Sequence, residues 1–343
     1  MATASLILVL LGNQGYWFGG AEGTITLQWA AGQLGDDLQV RWELTAGTAR
    51  LARSSLAWKK EAAQVTLRIQ PPTVRVRTAL TWSYGVFDSA QKELARGQAT
   101  IHVFPDTLTE GWAKLIADRR LLVWDKAEGL PKLLAQAKAP HTAVEGAGGL
   151  QFGTADAILV GGDQIEGSTF AQSPLLGQAR NGASVMIFAQ SQPSSLAGYA
   201  LRERSAKGRL EWRMDHPLLR GLEAADARSW LTGAATVRAV QLPPDEPAME
   251  IAYWPAEAPG RAPAPLDALL LTKSIGKGRI VLCQIPLGDW RSDPRSQILL
   301  GSALDYLLTR PQPTPPPSQR LTDRPARPAD GVPTIRISPG DKP

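Results

Sequence analysis

From residue 23 to residue 105, apolar and polar positions alternate with a period of two in short runs. The runs Thr24–Trp29, Gln39–Leu44, Gln64–Ile69, Arg75–Trp82 and Ala99–Phe104 therefore predict strands with one face in a core and the other in water. In the second run Val40, Trp42 and Leu44 point inward, while Arg41 and Glu43 point out. Short strands separated by turn residues predict an antiparallel sandwich of immunoglobulin-like size over residues 20–105. Before it, the apolar run Ser5–Leu11 lacks a basic flank and is far shorter than a membrane span of about 20 residues. Residues 1–19 are read as a first strand in preference to an apolar leader.

After Phe104-Pro105-Asp106 the pattern changes. Compact apolar runs now alternate with helix-length amphipathic ones, the grammar of an α/β sheet with parallel strands. Strands are predicted at Leu121–Trp124, Ala157–Val160 and Ala183–Phe188, and helices at Leu130–Ala139 and Ser173–Asn181, the second ended by Asn181-Gly182. A late hairpin turns at Gly276, joining Leu269–Lys273 to Gly278–Gln284. A closing helix spans Asp293–Thr309. Residues 106–310 thus read as one α/β domain, and residues 311–343, rich in proline, as a tail too polar to offset its ordering entropy.

Composition narrows the function classes. The 343 residues are 43% hydrophobic and 20% charged, ordinary for a globular protein. A net charge of +5 is scattered, with no basic stripe or reader motif, so nucleic acid is not an expected partner. The one cysteine, Cys283, excludes an intramolecular disulfide and leaves both cytoplasmic and extracytoplasmic settings open. Three histidines, His102, His141 and His216, are too far apart to form a short-spaced ligand pair, so no metal is expected, and no cofactor motif is present. Eleven tryptophans are the outlier. They fit sandwich cores or apolar platforms.

The loop Gly161-Gly162-Asp163 after a strand, the strand Val185–Phe188, the phrase Asp215-His216-Pro217-Leu218-Leu219-Arg220-Gly221-Leu222 and the ending Gly276-Lys277-Gly278-Arg279-Ile280-Val281-Leu282 before a last helix resemble class I glutamine amidotransferase domains, which are flavodoxin-like. Coupled to a sandwich, they resemble the accessory part of β-galactosidase-like family 2 glycoside hydrolases in multidomain bacterial proteins. The resemblance covers roughly residues 20–310 and implies fold before chemistry. It also implies a cysteine nucleophile on a tight strand-to-helix elbow. Here the strand at Phe188 runs into Ala189-Gln190-Ser191-Gln192-Pro193, with neither cysteine nor elbow glycines. The catalytic barrel of those hydrolases is absent as well.

The expected function is accordingly a non-catalytic structural or interaction region of a carbohydrate-associated protein, with no catalytic residues. A carbohydrate or a partner protein is the expected ligand. The alternative is a carbohydrate-binding module using loops at the strand ends, with Gly162, Asp163, Gln190, Ser191, His216, Asp289 and Trp290 as binding residues. A third reading is a hydrolase using Ser191 or Cys283 with His216. Against it, Ser191 lacks the glycines of a nucleophile elbow and Cys283 sits inside a strand pattern. For Asp163 the plainer role is capping the next helix, for His216 bonding to backbone in a turn, and for most tryptophans core packing.

Overall fold

A computed structural model describes residues 7–29, 37–59, 61–151, 154–166, 172–192, 194–244, 246, 248–255 and 265–309. The tail predicted at 311–343 lies outside them. The fold is mixed α/β and rich in β-structure.

Eight strands come first: β1 (Ile7–Leu11), β2 (Tyr16–Phe18), β3 (Gly23–Trp29), β4 (Leu38–Ala46), β5 (Ala49–Trp58), β6 (Gln64–Ile69), β7 (Thr78–Phe87) and β8 (Glu93–Phe104). They form a three-stranded sheet in the order β1-β3-β6 and a five-stranded sheet in the order β2-β8-β7-β4-β5. The alternation in sequence is what gives each strand its inward row. Ile25 and Leu27 of β3, Val40 and Leu44 of β4, and Leu80, Trp82 and Val86 of β7 are buried in one core. Trp42, expected inward, is only half-buried.

Three differences from the sequence reading stand out. The predicted strand 75–82 begins at Thr78 and runs on to Phe87, and the strand predicted from Ala99 begins at Glu93. Strand β5 was not predicted at all. Apart from half-buried Ala52, its side chains are exposed on both faces from Ala49 to Ala57, so no apolar period marks it. Pairing is antiparallel except between β2 and β8, which run parallel.

Then follow α1 (Trp112–Ile116), β9 (Leu121–Trp124), α2 (Gly129–Gln136), β10 (Thr142–Ala143), β11 (Ala157–Val160), α3 (Ser173–Arg180), β12 (Ser184–Ile187), β13 (Ser195–Leu196), β14 (Tyr199–Ser205), β15 (Glu211–Trp212), α4 (Ala224–Ser229), β16 (Thr236–Leu242), β17 (Met249–Trp254), β18 (Leu266–Ile275), β19 (Gly278–Cys283) and α5 (Pro294–Leu308). One sheet carries the order β10-β9-β11-β12-β19-β18-β16-β14-β13, with β17 also on β18 and β15 on β17. From β10 to β19 neighbours are parallel; from β18 onward they are antiparallel.

The four central parallel strands are buried on both faces. Leu121, Val123, Leu159, Met186 and Val281 enter a core shared with α1, α2 and α5. Their alternates Leu122, Ile158, Val185 and Ile280 enter a second core with α3. Helices on both faces explain why these strands read as continuous apolar runs. Among the described residues no helix is long and apolar enough to cross a membrane.

A polar seam joins the strands of the first eighty residues to the second half of the chain. Arg77 makes a two-pronged ion pair with Asp226 of α4, at 2.6 and 2.8 Å, and reaches Glu223 at 3.1 Å. Asp226 is fully buried. Nearby, Asp293 holds Arg295 by paired bonds of 2.9 and 2.8 Å. The Arg295 guanidinium lies 4.1 Å from the centre of the Tyr16 ring, which itself stacks on His102 at 5.0 Å. Arg295 also bonds Ser229 and the Gln14 side chain.

Candidate functional site

In parallel sheets ligands meet the carboxyl ends of the strands, so the site is built up from there. At the end of β9, Asp125 turns its carboxylate back to accept from the backbone N–H groups of Ala127 (3.2 Å) and Leu130 (2.8 Å), capping the entry to α2. Gly161, at the end of β11, has no room for a side chain because a Cβ there would lie 2.6 Å from Asp125 Oδ1. The loop beyond it is tied down by Gln164, which accepts from Lys126 N–H at 2.9 Å and donates to the Gly162 carbonyl at 2.6 Å.

Gln190 follows β12 and is 1% exposed. Its Oε1 accepts from Ile165 N–H at 2.8 Å, and its Nε2 donates to the carbonyls of Gly161 (2.8 Å) and Phe188 (2.6 Å). The carboxamide thus stitches the end of β11 to the end of β12. Its own N–H donates to Gln284 Oε1 beyond β19, at 3.2 Å. Gln284 Nε2 is buried and finds no protein partner among the described residues.

Asp163 has φ +55°, in the left-handed region, and its carboxylate accepts from Ser191 N–H at 2.6 Å. It does not cap the next helix: α3 starts at Ser173 with Gln172 at its N-cap. The reason is the Gln190 bridge, which brings the two loops close enough for Asp163 to close on Ser191. None of residues 188–192 has a positive φ. The strained turn that projects a nucleophile is therefore absent after β12.

Gly162, Asp163, Gln190 and Ser191 are thus brought together. Trp290 lies at the same edge, its ring 4.8 Å from that of Phe188 in an edge-to-face contact and close over Gly129. Asp289 instead folds its carboxylate onto its own turn, accepting from Arg291 N–H and the Ser292 hydroxyl.

His216 is not part of this group. Its Nδ1 accepts from Leu218 N–H at 3.2 Å, the backbone bond expected for a histidine in such a turn, and its ring packs 5.2 Å from Tyr306 late in α5. Burial holds its pKa down, to about 4, so the ring is neutral at pH 7. Cys283 lies wholly inside the core, and burial pushes its thiol up to about 12. A thiol so placed supplies no thiolate at neutral pH. Of the six tryptophans between residues 106 and 310, Trp112, Trp124, Trp230 and Trp254 are buried, while Trp212 and Trp290 are half-buried. Among the described residues no three His, Cys, Asp or Glu side chains converge to hold a metal.

Chemically, the edge holds amides and carboxylates engaged with backbone, and among the described residues His216 and Cys283 lie away from it. The signal for the strand ends was present in sequence. What each polar group bonds to was not, because their partners come from other loops.

No protein-family description and no curated protein matches the chain. Among solved structures it is similar to a family 76 glycoside hydrolase from a bovine Bacteroides thetaiotaomicron strain, at 8% identity over 32% of this chain and 23% of that one, with a TM-score of 0.24. A Niemann-Pick type C2 protein from the Japanese carpenter ant is 4% identical over 30% of this chain and 95% of its own, with a TM-score of 0.22. The CARDB domain of a Pyrococcus furiosus protein in complex with di-metal ions is 14% identical over 30% and 96%, with a TM-score of 0.21. Likenesses this partial are weak and carry no functional weight.

Proposed function

We propose that the chain is a non-catalytic structural or interaction region. In this reading an immunoglobulin-like sandwich, residues 20–105, supports a flavodoxin-like, degenerate amidotransferase-like domain, residues 106–310, of the kind attached to family 2 glycoside hydrolases. The strand order of the five parallel strands, second-first-third-fourth-fifth, favours the flavodoxin-like assignment.

The observation that carries the reading is Gln190. At the exit of β12, where a nucleophile would stand, a buried amide satisfies three backbone groups on an unstrained turn. A carbohydrate site at the same edge has less support, since Asp163, Gln190 and Asp289 are all engaged with protein groups.

The test is turnover by the full chain with glutamine, activated esters and chromogenic glycosides. No turnover above background is expected. Hydrolysis that disappears in Ser191→Ala or His216→Ala would sink the proposal.

A further inference from the structure

Away from that edge, an open cavity of about 690 Å³ lies along the β5 side of the five-stranded sheet. That volume falls within the range of about 300–1,000 Å³ usual for small-ligand sites. We propose that this cavity binds an acidic saccharide, a ligand carrying carboxylates and hydroxyls on rings with apolar faces. The inference stands apart from the reading of the α/β half and would survive its failure.

Cross-strand register builds the cavity. One row runs Ser55, Arg41, Gly85 and Arg96 across β5, β4, β7 and β8. The row two residues on holds Arg53, Glu43 and Ser83, and rows two apart share a face of the sheet. Four arginines and two glutamates line the cavity, an excess of two positive charges. Arg50 pairs with Glu43 at 3.3 Å and Arg96 with Glu93 at 3.8 Å. Arg53 has no ion-pair or hydrogen-bond partner among the described residues, and it is exposed.

Arg41 is held in place before any ligand arrives. It donates to Gln39 Oε1 at 3.0 and 2.7 Å and to Gln91, and it lies 4.4 Å from the centre of the Phe87 ring. Phe87 in turn covers Gly85, where a Cβ would meet the ring at 2.8 Å. A glycine inside a strand weakens it, so the position is explained by the ring laid across it.

The mixture of groups selects the ligand class. Guanidinium forks recognise carboxylates in a two-pronged manner. Glu43 and Glu93 offer acceptors for hydroxyl protons, and Ser55 and Ser83 both donate and accept. Half-buried Phe87, on the same face as Gly85, presents apolar surface to a ring. Polyglutamate or a single-stranded oligonucleotide brings charge without rows of ring hydroxyls, whereas a uronic-acid saccharide brings carboxylates to the arginines and hydroxyls to Glu43, Glu93 and the serines.

The test is calorimetric titration of the full chain with an oligogalacturonate. Comparison ligands are the methyl-esterified oligomer, polyglutamate and a single-stranded oligonucleotide. Expected is saturable binding of the oligogalacturonate, at least about tenfold weaker for the ester and for Arg53→Ala. Arg53 is exposed, so its variant is expected to keep the wild-type circular dichroism; Phe87→Leu serves as a second probe and weakens binding without loss of the fold. Absence of binding at millimolar oligogalacturonate overturns the proposal. So does equal binding by Arg53→Ala, or equal competition by polyglutamate or the oligonucleotide.

Discussion

At Gln190 one carboxamide closes three backbone groups, so its removal is costly in a specific way. Gln190→Ala leaves those groups buried without partners and is expected to lower stability by about 3 kcal/mol, measured by urea unfolding. His216 gives a pH dependence with a definite sign. Its folded pKa is near 4, below the ordinary value of 6.5, so between those limits the unfolded chain binds more protons. Its contribution is fully present above about pH 6.5 and is lost as pH falls toward 4, amounting to at most about 3 kcal/mol. His216→Asn, which keeps an acceptor for Leu218 N–H, is expected to flatten the difference between unfolding midpoints at pH 4.5 and pH 7.5. Cys283 is expected to resist a thiol reagent in the folded protein and to react only after denaturation, because its sulfur is wholly enclosed.

Among the elements, those buried on both faces or on one regular face were the legible ones. Leu121–Trp124 and Ala157–Val160 are strands at the residues the apolar runs predict, since nothing but apolar side chains fits between two layers of helices. Strand β5 carries no such mark, and in β14 Arg202, Glu203 and Arg204 interrupt any apolar run; β16 and β17, which do carry apolar residues, were missed as well. Candidate positions at the strand ends were visible as Gly161-Gly162-Asp163 and Gln190. The arginine-lined cavity was not, because Arg41, Arg53 and Arg96 come from three strands and only pairing register unites them. The lack of burial on β5 has a measurable side: Leu51→Lys and Leu56→Lys, both 42% exposed, are expected to change stability by less than about 0.5 kcal/mol, whereas Trp58→Ala, at the buried end of the same strand, costs about 3–5 kcal/mol.

For the molecule as a whole the ion pair of Arg77 and Asp226 ties the connection before β7 to α4 within one compact unit. Removing one partner strands a buried charge, so Asp226→Leu alone is expected to cost about 3–5 kcal/mol; the double variant with Arg77→Met costs less than the two single losses combined. The Gln190 bridge has a consequence for any attempt to place a nucleophile at the exit of β12. A cysteine installed at residue 190 would arrive on a relaxed exit rather than a sharp elbow, and would at once unfasten the loop that carries Asp163. Placing a nucleophile there would take a coordinated rebuilding of both loops, because the single substitution gives up the backbone bonds of Gln190 before it supplies any geometry for attack.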